Sequence, residues 1–304
     1  MREGLALKVF DLRDEGINIQ PNIPLSKYTF TKTGGKAEYL AFPKDLIELK
    51  KLVKLAKTEK IQLTVLGNAS NLIIRDGGIK GLVIILTDMQ AIKVEGDSVI
   101  AQAGARIIDT AFTAARSSLS GLEFAAGIPG SVGGAVYMNA GAYGGETKDV
   151  LESATVLTRD GQIKTYSNQE MKFSYRHSLI QETEDIVLEA RFKLRHGGRL
   201  EILDQMNYLN ALRRYKQPLE YPSCGSVFKR PKGHFVGPMI IKAGMQGTQV
   251  GGAQNSMKHA GFIVNKGGAT ATDYLEVIHL IQKKIKEVYG IDLETEVRII
   301  GEEK

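Results

Sequence analysis

The stretch EFAAGIPGSVGGAVYMNAGAYGGE, residues 123–146, decides how this sequence is interpreted. Glycine and alanine dominate it, yet it also contains Ile128, Val132 and Val136, and it does not repeat. Small residues among apolar ones indicate backbone that approaches a flat, bulky partner closely, because the absence of large side chains leaves room for that partner. Close packing of a helix on a sheet is the alternative, since it also uses glycine. The density of small residues favours an aromatic cofactor.

A second loop, GNASNLIIRDGG at residues 67–78, follows a short apolar run. Its backbone amides, with the side chains of Ser70 and Asn71, would form a nest for an anion such as a pyrophosphate. Asn, Ser and Gly also dominate ordinary surface turns. From these residues alone, an anion nest and a simple turn are equally good interpretations.

A third stretch, YPSCGSVFKRP at residues 221–231, places Ser226 directly after Gly225. A nucleophilic serine of the hydrolase type would need the pattern G-x-S-x-G, which is absent. The five histidines show no metal-ligand spacing, so we predict no metal site. The remaining alternative for Ser226 is a turn hydroxyl that satisfies its own backbone.

The composition of the 304 residues limits the class of protein. A chain of this length favours two or three lobes, and its formal charge of +6 favours anionic partners. The basic run at residues 50–57 is typical of the wet face of an amphipathic helix, so we expect no nucleic acid partner. A single cysteine, an acidic N-terminal stretch and short apolar runs predict a cytoplasmic protein with no membrane segment and no obligatory protein partner.

Hydrophobic periodicity predicts the main elements. Helices are expected at 44–58, 106–117, 200–215 and 272–289, and strands at 37–43, 62–67, 81–86, 98–104, 185–195 and 296–301. The strand at 185–195 is expected at a sheet edge, and Asp160-Gly161 is expected to turn a hairpin. The last helix is expected to start with a capping box of Asp273 and Glu276 and to stop at Gly290. Its expected buried stripe is Leu275, Ile278, Ile281, Ile285 and Val288.

Together these stretches resemble the UDP-N-acetylenolpyruvoylglucosamine reductase family, flavoenzymes of peptidoglycan synthesis. The matching stretches are TFTKTGGKAEYL, LGNASNLIIRDGGIKG, GLEFAAGIPGSVGGAVYMNAGAYGGE, YRHS, CGSVFKRP, HAGFIVNKGGATATDYLEVI and LETEVRIIG. They occur in the family's order and cover nearly the whole chain. The absence of a long insertion after YRHS resembles the shorter, type II form of the family.

The resemblance implies an α+β fold. It implies two α/β FAD-binding subdomains like those of the vanillyl-alcohol oxidase (PCMH-type) superfamily, at 1–80, closed by the C-terminal strand at 296–304, and at 81–198. A C-terminal α/β substrate-binding domain at 199–295 would complete the chain.

The resemblance also implies an activity. The expected reaction is the NADPH-dependent reduction of UDP-N-acetylglucosamine enolpyruvate to UDP-N-acetylmuramate, through non-covalently bound FAD. Such an enzyme makes a peptidoglycan precursor for the cell wall.

Site residues carry over from the family position by position. The resemblance implies an FAD site made of Gly67, Asn68, Ala69, Ser70, Asn71, Gly127, Ile128, Pro129, Gly130, Ser131, Gly133, Gly134 and Asn139. It implies catalytic roles for Arg176, Ser226 and Glu296, and substrate contacts from Arg213 and Lys216, which lie in RRYKQP. We add Arg230 to the substrate contacts. His259 and Gln254 fall in a segment near the substrate in relatives, without an assigned role.

Two positions depart from the family pattern. Ala69 stands where many members have Gly, a change that keeps the backbone donors of the loop. Arg230 stands where many members have Asn, so an amide contact there would be replaced by a guanidinium that could reach the uridine or the diphosphate.

Two other functions are compatible with parts of the sequence. The first is an oxygen-dependent alcohol or sugar oxidase of the same superfamily, which would leave Arg176, Ser226 and Glu296 unexplained as a set. The second is a nucleotide-sugar or nucleic-acid binding module without redox chemistry.

Overall fold

The computed structural model describes Val9 and residues 12–304, which form two compact units. Unit 1 contains the described residues up to Pro21, together with Tyr39–Asn68 and Gly81–Leu212. Unit 2 contains Asn22–Glu38, Ala69–Lys80 and Arg213–Lys304. Each unit has its own cluster of buried apolar side chains, so each has a hydrophobic core.

The chain opens with the predicted β-α-β arrangement. A four-stranded sheet has the order β1-β2-β5-β3, formed by β1 (Ile19–Pro24), β2 (Lys36–Ala41), β3 (Leu63–Leu66) and β5 (Ile79–Ile85). Helix α1 (Leu46–Glu59) begins after Asp45, whose side chain accepts a hydrogen bond from the backbone N–H of Glu48, and it ends at Lys60. Strands β3 and β5 pair in parallel in unit 1.

A five-stranded antiparallel sheet forms the centre of unit 1. Its order is β12-β11-β13-β7-β6, with β6 (Ile92–Glu95), β7 (Ser98–Gln102), β11 (Leu151–Leu157), β12 (Ile163–Ser167) and β13 (Ile186–Lys193). The predicted hairpin joins β11 to β12, and Gly161 in its turn has a φ of 86°. The prediction that residues 185–195 form an edge strand is wrong, because β13 pairs with both β11 and β7. Arg191 and Lys193 on this central strand form ion pairs with Glu95 and Asp97.

Shorter elements complete unit 1. These are the paired strands β8 (Leu119–Ser120) and β14 (Arg195–His196), the paired strands β9 (Gly141–Ala142) and β10 (Gly145–Glu146), and the helices α2 (Ile107–Arg116), α3 (Val132–Met138) and α4 (Ile180–Thr183). Helix α5 (Arg199–Lys216) begins in unit 1 and ends in unit 2. In unit 1 single 3-10 turns occur at Leu86–Asp88, Glu123–Ala125 and Thr147–Asp149, and in unit 2 one occurs at Leu25–Lys27.

Unit 2 contains an antiparallel sheet, a two-stranded parallel sheet and two helices. The antiparallel sheet has the order β15-β18-β17-β16, formed by β15 (Ser223–Ser226), β16 (Gln249–Val250), β17 (Ala253–Asn255) and β18 (Phe262–Asn265). The parallel pair is β4 (Leu72–Ile74) and β19 (Arg298–Ile300). The helices are α6 (Val236–Lys242) and α7 (Ala271–Tyr289).

Helix α7 differs from its prediction in two respects, the capping box at its start and the exposure of Val288 near its end. Its capping box is formed by Thr270 and Asp273, not by Asp273 and Glu276, because the Thr270 hydroxyl accepts from the backbone N–H of Asp273. Gly290 ends the helix with a φ of 69°, as predicted. Val288 is 50% exposed, since Tyr289, four residues after Ile285, packs against the core in its place.

Candidate functional site

The loop at residues 123–146 is fastened to the segment that follows β7. The backbone N–H of Val132 donates to the carbonyl of Ala105 (2.8 Å), and that of Gly133 donates to the carbonyl of Ala103 (2.8 Å). Helix α3 starts at Ser131, whose buried hydroxyl accepts a hydrogen bond from Gly134 N–H (3.2 Å). Part of the small-residue pattern therefore serves packing within the protein, while residues 127–130 stay partly or fully exposed to a ligand.

The loop that begins after β3 touches the 123–146 loop within unit 1. The side-chain amide of Asn68 donates to the carbonyl of Pro129 (3.0 Å). A Cβ atom on Gly67 would lie 2.1 Å from the hydroxyl of Ser131, so a larger residue there would displace the hydroxyl that caps α3. The first two residues of the predicted pyrophosphate loop thus lie against the predicted flavin loop. This backbone-rich, small-residue surface fits a dinucleotide cofactor.

The rest of that loop, residues 69–71, lies in unit 2. Ala69 has a φ of 46°, a left-handed conformation that glycine adopts without steric cost. The side-chain amide of Asn71 donates to the carbonyl of Glu296 (3.2 Å), and the carbonyl of Asn71 accepts from Arg298 N–H (3.1 Å).

Asn139 lies at the end of helix α3 and is fully buried. Its side-chain nitrogen donates to the carboxylate of Glu146 (2.9 Å) and to the carbonyl of Ser174 (3.0 Å), and its oxygen accepts from Lys148 N–H (3.0 Å). The hydrogen bond from Lys148 and that from Asn139 hold the pKa of Glu146 below its usual value, against the opposing effect of burial, and the charge of Arg176 adds to this. The amide of Asn139 therefore joins the 139–148 loop to the segment that carries Arg176.

Arg176 lies in a tight turn in unit 1. Ser174 and His177 exchange two backbone hydrogen bonds (3.1 and 3.2 Å), and Arg176 between them has a left-handed φ of 57°. The guanidinium donates to the carbonyl of Gly141 (3.3 Å) and lies 5.3 Å from the ring centre of Tyr175. Arg176 therefore lies beside the strands β9 and β10, which belong to the glycine-rich stretch at residues 123–146.

Ser226 and Glu296 are neighbours in unit 2, although they lie far apart in sequence. Ser226 is exposed at the end of β15, after a bulge in which Gly225 has a φ of 78°. The carbonyl of the next residue, Val227, accepts hydrogen bonds from the backbone N–H groups of Glu296 (2.7 Å) and Val297 (3.3 Å). Two of the three predicted catalytic residues therefore flank one backbone junction.

The predicted substrate-binding residues also belong to unit 2. Arg213 and Lys216 lie in the last turn of α5, where Arg213 donates to the side chain of Gln217 (3.4 Å) and Lys216 is exposed. Arg230 is exposed, and its guanidinium lies 3.7 Å from the ring centre of Phe235. This stacking leaves the guanidinium edge for polar contacts.

His259 lies close to Ser226 through β18. Its ring packs edge-on against Phe262 (4.8 Å between ring centres), and Phe262 pairs with Ser226. Burial lowers the pKa of His259, and its Nδ1 accepts a hydrogen bond from Gly261 N–H (3.2 Å), so the neutral ring carries its proton on Nε2. Gln254 on β17 donates to the side chain of Gln249 (3.1 Å).

The described residues, 9 and 12–304, offer neither a cluster of metal ligands nor a helix fit to span a membrane. Within that described part of the chain, no group of three or more His, Cys, Asp or Glu side chains could hold a metal ion. None of the helices described there combines the length and the apolar character needed to cross a membrane.

Sequence reasoning missed two groups near Arg176. Glu146 occurs inside the quoted stretch, and the β9–β10 hairpin brings it near Arg176. The sequence signal for that hairpin was Gly144, because glycine is favoured in turns with a positive φ, as Tyr143 and Gly144 have here. Gln181 on α4 belongs to no motif, and only the coordinates reveal its contacts.

Comparison with known families defines the class of this protein. Residues 37–167 match the family described as "FAD binding domain", and this range includes both loops of the candidate cofactor site. The chain is an FAD-dependent oxidoreductase, and its fold class is α+β with a separate C-terminal domain, as predicted.

The particular family follows from the remaining matches. Residues 217–300 match "UDP-N-acetylenolpyruvoylglucosamine reductase, C-terminal domain". Proteins named UDP-N-acetylenolpyruvoylglucosamine reductase are 74% identical in Lactobacillus delbrueckii subsp. bulgaricus and 73% identical in Lactobacillus helveticus, each over 98% of this chain and 100% of the relative. The crystal structure of the reductase from Thermus caldophilus superposes with a TM-score of 0.81 at 35% identity, covering 93% of this chain and 98% of that one. This chain belongs to the UDP-N-acetylenolpyruvoylglucosamine reductase family.

Proposed function

We propose that this chain reduces UDP-N-acetylglucosamine enolpyruvate to UDP-N-acetylmuramate with NADPH, in the synthesis of peptidoglycan precursors. The observation that carries the proposal is the junction at Val227, which holds exposed Ser226 next to the backbone of Glu296. Family membership supplies the substrate, since the relatives carry the name of that reductase. An alcohol or sugar oxidase would give no reason for this pairing.

We also propose the division of labour along the chain that the sequence predicted. Residues 1–80, closed by 296–304, and residues 81–198 form the FAD-binding subdomains, and residues 199–295 bind the substrate. The matched ranges 37–167 and 217–300 support this division. Arg213, Lys216 and Arg230 then serve the anionic diphosphate and the uridine, for which guanidinium and ammonium groups are suited.

FAD supplies the transfer of hydride from NADPH to the enolpyruvyl group. Residues 67–71 would bind its pyrophosphate through backbone N–H groups, and residues 127–134 would line the isoalloxazine. Asn139 is fully buried, so it would act behind that lining, by holding the end of α3 to the Arg176 turn. In this scheme the contact between Gly67 and Ser131 keeps the two loops together. The close approach of those loops to each other supports a single continuous cofactor site.

Arg176 binds the carboxylate of the enolpyruvyl group. A guanidinium grips a carboxylate at two points and stabilises the negative charge that develops there as hydride reaches the methylene carbon. The hydrogen bond of Arg176 to the carbonyl of Gly141 directs the guanidinium.

Ser226 donates the proton that the neighbouring carbon requires, and Glu296 orients the substrate carboxylate. The bulge at Gly225 exposes the Ser226 hydroxyl at the end of its strand. The two residues then work at one end of the enolpyruvyl group.

Anaerobic visible spectroscopy of the FAD-loaded protein tests the proposal. NADPH should bleach the flavin absorbance, and UDP-N-acetylglucosamine enolpyruvate should restore it without oxygen. Restoration by oxygen alone would reject the reductase in favour of an oxidase. A protein that stays colourless with added FAD would reject redox function and favour a binding module.

A further inference from the structure

The turn that carries Arg176 has a conformation that its own residues do not favour. A left-handed φ of 57° is strained for a long side chain, and turns of this kind favour Gly or Asn. Such a conformation persists where the surrounding structure holds it on several sides. The contacts around the turn therefore decide where the guanidinium of Arg176 lies.

Gln181 makes one of these contacts. Its side-chain nitrogen donates to the carbonyl of Arg176 (2.9 Å) and to the carbonyl of Tyr137 (2.8 Å). A primary amide has two N–H donors, so one group can serve both carbonyls. Gln181 thereby joins the left-handed residue to helix α3, which follows the predicted flavin loop.

Two neighbouring side chains fix the same parts of the chain. The hydroxyl of Ser178 also donates to the carbonyl of Tyr137 (2.8 Å). From the other side of the turn, Asn139 donates to the carbonyl of Ser174 (3.0 Å). Asn139 thus holds the turn at its first residue, Ser174, and Gln181 holds it at its third, Arg176. Both hydrogen bonds connect the turn to the end of α3.

We propose that Gln181 is a positioning residue for the reaction, which acts through Arg176. Its amide fixes the left-handed turn relative to helix α3, so that the guanidinium is held in place when the substrate carboxylate arrives. The inference rests on the proposed function, because it requires Arg176 to bind that carboxylate. The donor pair is essential, since neither a carboxylate nor a thioether of the same length can donate to two carbonyls.

Substitution of the amide tests this role. In Gln181→Glu and Gln181→Met, the reoxidation of reduced flavin by the enolpyruvyl substrate should slow by about 10–100-fold, because small displacements of a catalytic group cost rates of that order. Flavin reduction by NADPH and retention of FAD should match the unaltered protein. The matched substitutions Gln205→Glu and Gln205→Met, at an exposed position of α5, should change both half-reactions by less than about twofold.

A double-mutant cycle separates positioning from a general structural effect. If Gln181 acts through Arg176, Gln181→Met should slow reoxidation in the Arg176 protein and add nothing in an Arg176→Ala background. Equal effects in both backgrounds, an unchanged rate in both Gln181 variants, or loss of FAD would overturn the proposal. Failure of the function itself gives a different result, in which the substrate does not reoxidise the unaltered protein at all.

Discussion

The Arg176 turn in unit 1 and the Ser226–Glu296 junction in unit 2 are held by different kinds of bond. Side-chain amides of Asn139 and Gln181 hold the turn at Arg176. Backbone hydrogen bonds through Val227 hold the Ser226–Glu296 junction. A position held by side chains depends on the identity of particular neighbours, whereas a position held by strand pairing depends on backbone conformation. The two regions should therefore respond to different substitutions.

The largest expected effect tests the side-chain region directly. Arg176→Ala should slow flavin reoxidation by the enolpyruvyl substrate by ~10²–10³-fold, the usual cost of losing a preorganised donor to a developing charge. Flavin reduction by NADPH should stay close to normal. Rapid-mixing absorbance of the two half-reactions measures both rates, with Arg116→Ala at the exposed end of α2 as the control. Slower flavin reduction with unchanged reoxidation would contradict the prediction, because Arg176 would then act in the reduction by NADPH.

The second prediction tests the backbone region. Gly225 has a φ of 78° in the bulge before Ser226, and a Cβ there meets no atom within 4 Å. Gly225→Ala should therefore cost about 1–2 kcal/mol of unfolding free energy through backbone strain alone. Reoxidation should also slow, since the strain shifts Ser226. Denaturant unfolding and rapid mixing provide the two measurements.

Gly237→Ala is the matched control for this change. Gly237 lies in helix α6, has no left-handed φ and also has open space around its Cβ position. Alanine should leave stability equal or raise it by about 0.5–1 kcal/mol, because glycine is unfavourable in a helix. Equal destabilisation by both substitutions would show that backbone conformation at Gly225 is unimportant.

The smallest expected effect concerns Asp76 in unit 2, whose side-chain hydrogen bonds involve neither Ser226 nor Glu296. The carboxylate of Asp76 accepts hydrogen bonds from Ala271 N–H (3.0 Å) and from the N–H and hydroxyl of Thr272 (2.9 and 2.7 Å), at the start of α7. Burial opposes ionisation, but these hydrogen bonds outweigh it, so the pKa of Asp76 lies below its usual value. Asp76→Asn should cost ~1 kcal/mol of stability at neutral pH, because the amide keeps only one acceptor oxygen and loses the charge that these hydrogen bonds stabilise.

The pH dependence of that difference follows from the sign of the pKa shift. A lowered folded-state pKa stabilises the protein fully above the unfolded value of about 3.9, and this stabilisation is lost as pH falls through the folded value. The stability difference between the two proteins should therefore shrink below about pH 4. Unfolding at several pH values measures it, with Asp204→Asn on the exposed face of α5 as the control. A difference that grows on acidification would contradict this account of Asp76.

Patterns of apolar residues along the chain predicted most of the helices and strands, but not which strands pair with each other. Apolar periodicity placed α5 and α7 to within about two residues, as helix ends allow. Periodicity carries no information about pairing, so the central place of β13 was missed. The cap of α7 was placed three residues late because Thr270 and Asp273 fit the capping pattern as well as Asp273 and Glu276 do.

In the candidate site, too, some residues could be predicted from the sequence, whereas the contacts that support them could not. Composition indicated the two glycine-containing loops, and the family resemblance indicated Arg176, Ser226 and Glu296. Their supports depend on contacts between residues distant in sequence, such as Asn68 with Pro129. Gln181 could not be predicted, because a glutamine outside any motif looks like an ordinary surface residue.

The most direct test of the central claim is single-turnover reoxidation of Ser226→Ala protein after complete reduction by NADPH. We expect normal reduction, and reoxidation by the enolpyruvyl substrate slowed by ~10²-fold or more, the lower range for loss of a general acid. That result would assign Ser226 to the protonation of the substrate carbon. Reoxidation at the rate of the unaltered protein would remove Ser226 from the chemistry, and with it the reason for its pairing with Glu296.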